Sequence, residues 1–122
     1  MRTLRRICFY VTFLAVAWSQ ELAGTNPFDT SQGIAQGKAL TDASDCKTCH
    51  HPTNKIIGPS HTDVAKKYEF TKANVGLLAK KIIDGGSGVW GEIPMSPHAI
   101  PMADAEKMAM YVLSLDGEKP KD

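Results

Sequence analysis

Hydrophobic residues recur at helical spacing in two stretches of the second half of the chain. In the first stretch they follow Thr71 and stop before Gly85-Gly86: Val75, Leu78, Ala79, Ile82 and Ile83. In the second stretch, from about Ala103 to Leu115, four lie on one side: Ala105, Met108, Ala109 and Val112. Spacings of three and four residues place side chains on one face of an α-helix. The pattern therefore predicts two amphipathic helices, the first of which ends at the glycine pair.

A weaker pattern predicts a helix from Ser31 to Thr41. Its apolar residues lie near one face: Ile34, Ala35, Ala39 and Leu40. Gly33 and Gly37 sit four residues apart within it, and each costs up to ~1 kcal/mol relative to alanine in a helix. Close backbone contact with another element would offset that cost, and a weak, partly frayed helix is the other interpretation.

Ser60 and Asp63 resemble the capping box that opens a helix, which here would run to Tyr68. Residues 87–101 show no periodicity and contain three prolines, which predicts a stiff loop. Because no convincing pair of strands is present, a small all-α fold is expected. Short helices in about 100 residues bury only a thin core, and a cofactor would fill the middle of such a domain.

Residues 1–19 have the layout of a secretory signal peptide. Three arginines precede an apolar run at 7–18, and the small residues Ala17 and Ser19 mark a cleavage site before Gln20. The apolar run is too short for a membrane-spanning helix, which needs about 20 residues. We therefore expect cleavage between Ser19 and Gln20, export to the periplasm and no membrane span in the mature protein.

Removal of residues 1–19 would leave 103 residues, with a flexible lead-in at 20–30 and one domain at 31–122. The arginines would leave with the signal, so 11 lysines would stand against 13 acidic residues, a formal charge of −2. No basic stripe for nucleic acid would remain. The cysteines of the exported domain would be Cys46 and Cys49, in an oxidising compartment.

These cysteines belong to the segment D-C-K-T-C-H-H, from Asp45 to His51. A structural zinc site commonly uses two close pairs of ligands, and no second pair follows. A thioredoxin-like redox pair needs a βαβ setting, for which the strands are missing. The segment does match C-x-x-C-H, the attachment signal for c-type haem. On a helix the two thiols share a face with His50, which can reach the iron, whereas His51 points about 100° away.

An electron carrier usually closes the other axial position of the iron, and a methionine there raises the reduction potential. Met95 lies in I-P-M-S-P between Pro94 and Pro97, where the prolines restrict the backbone. The other candidates lie in or beside predicted helices: His61 on the proximal side, Met102 near a helix start, Met108 in the core and Met110 at the helix periphery. We favour Met95 as the ligand, with His98 of the same loop second.

Four short segments extend this pattern over most of the mature chain. They are C-K-T-C-H at 46–50, I-G-P at 57–59, G-V-W-G-E-I-P-M-S-P at 88–97 and Y-V-L-S-L at 111–115. On these segments the chain resembles the small monohaem class I cytochromes c of bacteria, which shuttle electrons in periplasmic respiration. The resemblance implies a class I cytochrome c fold, with three to five short helices around one haem c attached through Cys46 and Cys49.

The resemblance also implies roles for individual residues. His50 would be the proximal and Met95 the distal ligand of the iron. The Pro59 carbonyl would accept a hydrogen bond from the His50 ring, and Trp90 would pack beside the haem. The chain departs from the family at Leu40, where an aromatic residue is usual.

The crossing of the first and last helices, marked by Gly37 and Tyr111, is therefore expected to be looser. A second departure is His98, which stands where the family often has asparagine or another residue. The hydrogen bonding of the distal loop is thus not given by the resemblance.

The expected function is that of a one-electron carrier and not of an enzyme, with both axial ligands permanently bound. Its partners would be redox proteins: a donor dehydrogenase or respiratory complex, and an acceptor oxidase or reductase. The carrier is expected to be a monomer. The alternative is a haem enzyme or gas sensor, which would need a labile Met95 and a distal base such as His98.

Overall fold

A computed structural model describes residues 30–121. Five α-helices follow one another along the chain: α1 Thr30–Ala43, α2 Cys46–Cys49, α3 His61–Lys67, α4 Lys72–Asp84 and α5 Met102–Leu113. A 3₁₀ turn, Ser114–Asp116, continues α5. Within the described residues the β pairing is limited to an isolated bridge between Gly86 and Met95. The predicted all-α fold is therefore confirmed, as is the loop at residues 87–101.

Across residues 30–121, no helix has both the length and the apolar character needed to cross a membrane. The predicted signal peptide, residues 1–19, lies outside the described residues. The same holds for residues 20–29, which make up nearly all of the predicted lead-in.

Local capping signals begin and end the helices where the sequence predicts. Ser60 Oγ accepts a 3.0 Å hydrogen bond from the N–H of Asp63. Thr71 Oγ1 accepts a 3.2 Å bond from the N–H of Asn74. Each bond satisfies an amide that the first turn of a helix leaves without a partner. At the other end of α4, Gly85 has a φ of 68°, a backbone conformation that favours glycine.

Helices α1 and α5 cross in direct backbone contact. A Cβ atom at Gly37 would lie 1.9 Å from the carbonyl oxygen of Lys107. One at Gly33 would lie 2.4 Å from Cε of Met110. The expectation that close contact offsets the cost of two glycines in α1 is confirmed, and at Gly37 the approach leaves no space for a side chain.

The buried face of α1 differs from the predicted one. It consists of small and polar residues: Gly33, Gly37 and Thr41. Ala35 and Ala39, predicted on the apolar face, are exposed, whereas Ile34 and Leu40 are half-buried. The physical reason is the close approach of α5, which requires the smallest residues at the crossing and so makes burial follow the glycine spacing.

The core lies where α3, α4 and α5 meet. Its buried side chains form one cluster: Val64, Phe70, Val75, Leu78, Ala109, Met110 and Leu113. The prediction that Met110 lies at the helix periphery is wrong, because this side chain packs under α1 and is 2% exposed. The N–H of Phe70 donates to the carboxylate of Glu118, and its carbonyl accepts from the N–H of Lys121. The segment after α5 therefore closes the core beside Phe70.

Replacing Gly37 by alanine is expected to destabilise the protein. The new Cβ would meet the carbonyl group of Lys107, which can move only if α5 moves with it. Overpacking of this kind costs about 1–3 kcal/mol. We expect the free energy of unfolding, measured by denaturant titration of the purified protein, to fall by about 2 kcal/mol or more.

Gly76→Ala is the matched control, because Gly76 lies inside α4 and a Cβ there would have no atom within 4 Å. The substitution should stabilise the protein by up to ~1 kcal/mol, the difference in helix propensity. Equal effects of the two substitutions would contradict the close crossing of α1 and α5.

Candidate haem site

The two cysteines lie on a single helical turn, α2. Both thiols are free; Cys46 is buried and Cys49 half-buried. The turn ends at Cys49, since His50 has an extended backbone with φ −122° and ψ 139°. The prediction that the helix continues through His50 is therefore wrong. The N–H of His50 still donates to the carbonyl of Cys46 at 2.8 Å, so the three residues remain in one compact turn.

One hydrogen bond determines which nitrogen of His50 is protonated. Its Nδ1 lies 2.8 Å from the carbonyl oxygen of Pro59. Because a carbonyl only accepts, Nδ1 carries the proton and donates it. Nε2 is then the nitrogen with the free lone pair, the form that binds a metal. Gly58 allows the approach, since a Cβ there would lie 2.6 Å from Cε1 of His50.

His61 is a buried neighbour of His50, and no sequence signal beyond its position at a helix start indicates this. The two ring centroids are 5.2 Å apart with the planes inclined by 27°. The ring of Tyr111 meets His61 edge-on at 6.4 Å. Burial, followed by the influence of His50 and His51, lowers the pKa of His61 to about 4. Its ring is therefore neutral near pH 7 and packs on His50 without charge.

His51 has a local structural role. The side chain is exposed, and its Nδ1 accepts hydrogen bonds of 3.1 Å from the N–H groups of Thr53 and Asn54. These bonds shape the turn that follows the cysteine motif. The expectation that His51 points about 100° away from His50 around a helix does not apply, because His51 lies beyond the end of α2.

The loop at residues 87–101 holds Met95 through its backbone. The N–H of Met95 donates to the carbonyl of Gly86 at 2.9 Å, and the N–H of Gly86 donates back at 3.0 Å. Gly85 makes this pairing possible, since a Cβ there would lie 2.4 Å from the carbonyl oxygen of Met95. The position of the half-buried Met95 side chain therefore depends on the glycines after α4 as well as on the flanking prolines.

Trp90 lies in the same loop with 41% of its surface exposed. The ammonium of Lys67 is 5.5 Å from the centroid of its ring, a distance typical of a cation–π interaction. Other large apolar side chains nearby are also exposed: Ile57, Val89 and Ile93. A cluster of exposed apolar residues of this kind marks a binding site.

His98, the second candidate for the distal ligand, is engaged elsewhere. Its Nε2 lies 3.0 Å from a carboxylate oxygen of Asp45, and its Nδ1 lies 3.2 Å from the carbonyl oxygen of Ile82. Both ring nitrogens are thus directed at oxygen atoms of the protein. The geometry therefore favours Met95 over His98.

A cavity of about 320 Å³ brings the predicted site residues together. Its walls include all six of them: Cys46, Cys49, His50, Pro59, Trp90 and Met95. Among the other candidates, His61, His98 and Met108 also contribute to the walls, whereas Met102 and Met110 do not.

The side chains that line this cavity have the chemistry that a c-type haem requires. Two free thiols, an imidazole nitrogen and a thioether are the donors that a c-type haem uses, and exposed apolar side chains line the same cavity. Within residues 30–121, no group of three or more His, Cys, Asp or Glu side chains could hold a metal ion on its own. The residues therefore fit a covalently attached haem.

Comparison with known proteins agrees with this assignment. Residues 34–116 match the family model described as cytochrome c. Cytochrome c-552 of Hydrogenobacter thermophilus is 45% identical over 76 residues, which are 62% of this chain and 78% of that protein. Cytochrome c-551 of Azotobacter vinelandii is 40% identical over 78 residues, which are 64% of this chain and 95% of that protein.

The similarity extends to solved structures. The crystal structure of wild-type Nitrosomonas europaea cytochrome c552 superimposes with a TM-score of 0.61 at 39% sequence identity. The superposition covers 65% of this chain and 99% of the Nitrosomonas europaea chain. The chain belongs to the cytochrome c family, as a small class I monohaem cytochrome of the bacterial type. Its cofactor is haem c, with iron, attached at the C-x-x-C-H motif.

Replacing both Cys46 and Cys49 by alanine is expected to abolish covalent haem attachment. Thioether bonds survive denaturation, so wild-type haem should stay with the polypeptide on a denaturing gel and haem of the double variant should not. Each single variant keeps one thiol and should retain part of the haem, measured by staining the gel for haem. Lys47→Ala, an exposed position in the same turn, is the control and should stain like the wild type. Haem that remains on the denatured double variant would contradict attachment at this motif.

Proposed function

We propose that this protein is a one-electron carrier in which His50 and Met95 are the two axial ligands of the haem iron. The observation that carries the proposal is that one cavity contains both donors, an imidazole with a free lone pair and a thioether in a loop held by backbone bonds. His50 has its lone pair on Nε2, because Nδ1 donates to Pro59. Met95 belongs to a loop whose backbone is paired with Gly86. Both donors line the same cavity, which suits a centre that changes charge but keeps its ligands.

The hydrogen bond from His50 to the Pro59 carbonyl has two effects in this function. It holds the imidazole in one orientation, and it increases the electron donation of Nε2, as such partners of ligating histidines do. When bound, haem c supplies an iron centre that takes up and gives back one electron. Cys46 and Cys49 would hold that group to α2 covalently, so that it cannot dissociate from the carrier.

The apolar walls of the cavity support the same function. Trp90 and Ile57 offer apolar contact, and Lys67 lies against Trp90 with its charge. We propose that these side chains keep water away from the iron, which together with a methionine ligand raises the reduction potential. Met95 contributes a neutral thioether, which adds no charge to the site.

Export and redox partners complete the proposal. The arginines and apolar run of residues 1–19 support transport to the periplasm. There the carrier would accept electrons from a dehydrogenase or respiratory complex and deliver them to an oxidase or reductase, as a monomer. A haem enzyme or gas sensor is less well supported, because His98 is engaged on both ring nitrogens and is not free to act as a distal base.

The mature protein is expected to begin at Gln20. Signal peptidases select small residues at the third and first positions before the cut, here Ala17 and Ser19. Mass spectrometry of the protein purified from the periplasm of a bacterial host would check this. Ala17→Arg should leave the signal attached. A wild-type protein that retains residues 1–19 would contradict the proposed processing.

The wild-type protein should not bind carbon monoxide after reduction, whereas Met95→Ala should. Loss of the thioether opens the sixth position or recruits another ligand, so the ferric spectrum of the variant should become high-spin or lose its weak far-red Met–iron band. Absorption spectra of both proteins with and without carbon monoxide measure this.

Met102→Ala is the matched control for Met95→Ala, because Met102 is an exposed methionine outside the cavity. Its spectrum should match that of the wild type. Rapid carbon monoxide binding by the wild type would favour the enzyme or sensor alternative. An unchanged spectrum of Met95→Ala would remove Met95 from the site.

A further inference from the structure

His98 connects three segments that are distant in the sequence. Its ring bonds to Asp45, the residue before α2, at 3.0 Å and to the carbonyl of Ile82 in α4 at 3.2 Å. Its backbone N–H also donates to the carbonyls of Ile82 and Ile83, at 3.2 and 3.1 Å. One residue of the loop thus contacts both the segment that begins the cysteine turn and the end of α4.

The contacts to α4 fall on groups that need partners. Ile82 and Ile83 lie in the last turn of α4, where carbonyls have no N–H group of the helix to bind. A histidine at this end can bond those carbonyls and interact favourably with the helix dipole. The attachment of His98 to α4 therefore rests on several bonds, of which two come from the backbone and are independent of the side chain.

The contact to Asp45 depends on the side chain alone. Only 20% of the His98 side chain is exposed, against 77% of the Asp45 side chain. A neutral imidazole has one N–H and could serve one of the two acceptors, whereas the imidazolium donates to both. A hydrogen bond from Nε2 to a carboxylate is charge-assisted and is stronger than a bond between neutral groups.

We infer that His98 is a positioning residue, which ties the loop carrying Met95 to the start of α2 through Asp45. Met95 is three residues before His98, and Cys46 is the residue after Asp45. The hydrogen bond between His98 and Asp45, called the tie below, therefore connects the loop that offers the distal ligand to the turn that holds the haem. This inference rests on the proposed function only where it concerns access to the iron; the tie itself concerns the loop.

Without the tie, the loop would remain attached through Gly86 and through the backbone of His98, but it would open more often. The bond is partly exposed, and exposed ion pairs contribute up to ~1 kcal/mol. We expect its loss to increase the opening equilibrium of the loop about twofold to fivefold. Global stability should change little, since α4 and α5 keep their contacts.

Two substitutions of His98 separate its two ring contacts. In His98→Asn the side-chain amide can replace Nδ1, so the bond to Ile82 is kept and the bond to Asp45 is lost. In His98→Gln the amide can replace Nε2, so the bond to Asp45 is kept. Asp45→Asn removes the carboxylate charge from the other side. Asp42→Asn is the control, because this exposed carboxylate pairs with Lys38 and not with the loop.

Amide hydrogen exchange in the haem-loaded protein measures the opening of the loop. The N–H groups of Met95 and His98 should exchange about twofold to fivefold faster in Asp45→Asn and in His98→Asn. His98→Gln and Asp42→Asn should exchange like the wild type, and Val75 in α4 should be unchanged in all variants. The double variant Asp45→Asn/His98→Asn should be no faster than either single variant.

Wild-type exchange rates at Met95 and His98 in both Asp45→Asn and His98→Asn would overturn the inference. Equal acceleration in His98→Gln and His98→Asn would also overturn it, because the effect would then not come from Asp45. These outcomes do not depend on whether Met95 binds the iron, which the carbon monoxide and spectral measurements decide separately.

Cyanide binding to the ferric protein tests the consequence for the site. If the tie controls access to the sixth position, cyanide should bind Asp45→Asn and His98→Asn several-fold faster than the wild type, and Asp42→Asn at the wild-type rate. Faster loop exchange with unchanged cyanide binding would overturn the link between the tie and access to the iron.

Discussion

The close crossing of α1 and α5 is the contact on which the rest of the domain depends. Gly37 allows the backbones to touch at Lys107, and this sets the distance between the two helices. From that crossing α1 leads directly into α2 and so places Cys46, while α5 turns Met108 towards the cavity. The haem site is thus built on a contact that involves no haem ligand.

Much of the fold and of the site could be predicted from the sequence, because the determining signals are local. Helix caps such as Thr71, the glycine stop at Gly85 and the cysteine motif each act within a few residues of where they are read. Two of the predictions that failed depend on contacts between distant residues. The sequence predicts Ala35 on the buried face of α1 and Met110 at the periphery of α5. Both predictions are wrong, because the spacing of apolar residues does not show that α1 contacts α5 through its glycines.

In the site, too, the sequence predicts what depends on local signals and misses what depends on contacts between distant residues. The motif identifies His50, and the prolines of the loop draw attention to Met95. Nothing in the sequence indicates that His61 stacks on His50 or that His98 reaches Asp45, 53 positions away. Both histidines follow motif residues closely enough to be mistaken for ligands. Only the folded structure separates a histidine that offers a lone pair from those that pack against it or bind a carboxylate.

The exposed apolar side chains around the cavity have a consequence for biogenesis. Ile57, Val89 and Ile93 are each about half exposed or more, and such a cluster favours aggregation unless it is covered. These side chains line the cavity, so haem attached during biogenesis would cover part of this apolar surface. Because thioether bonds at Cys46 and Cys49 do not dissociate, this cover would be permanent, and the cluster would no longer favour aggregation.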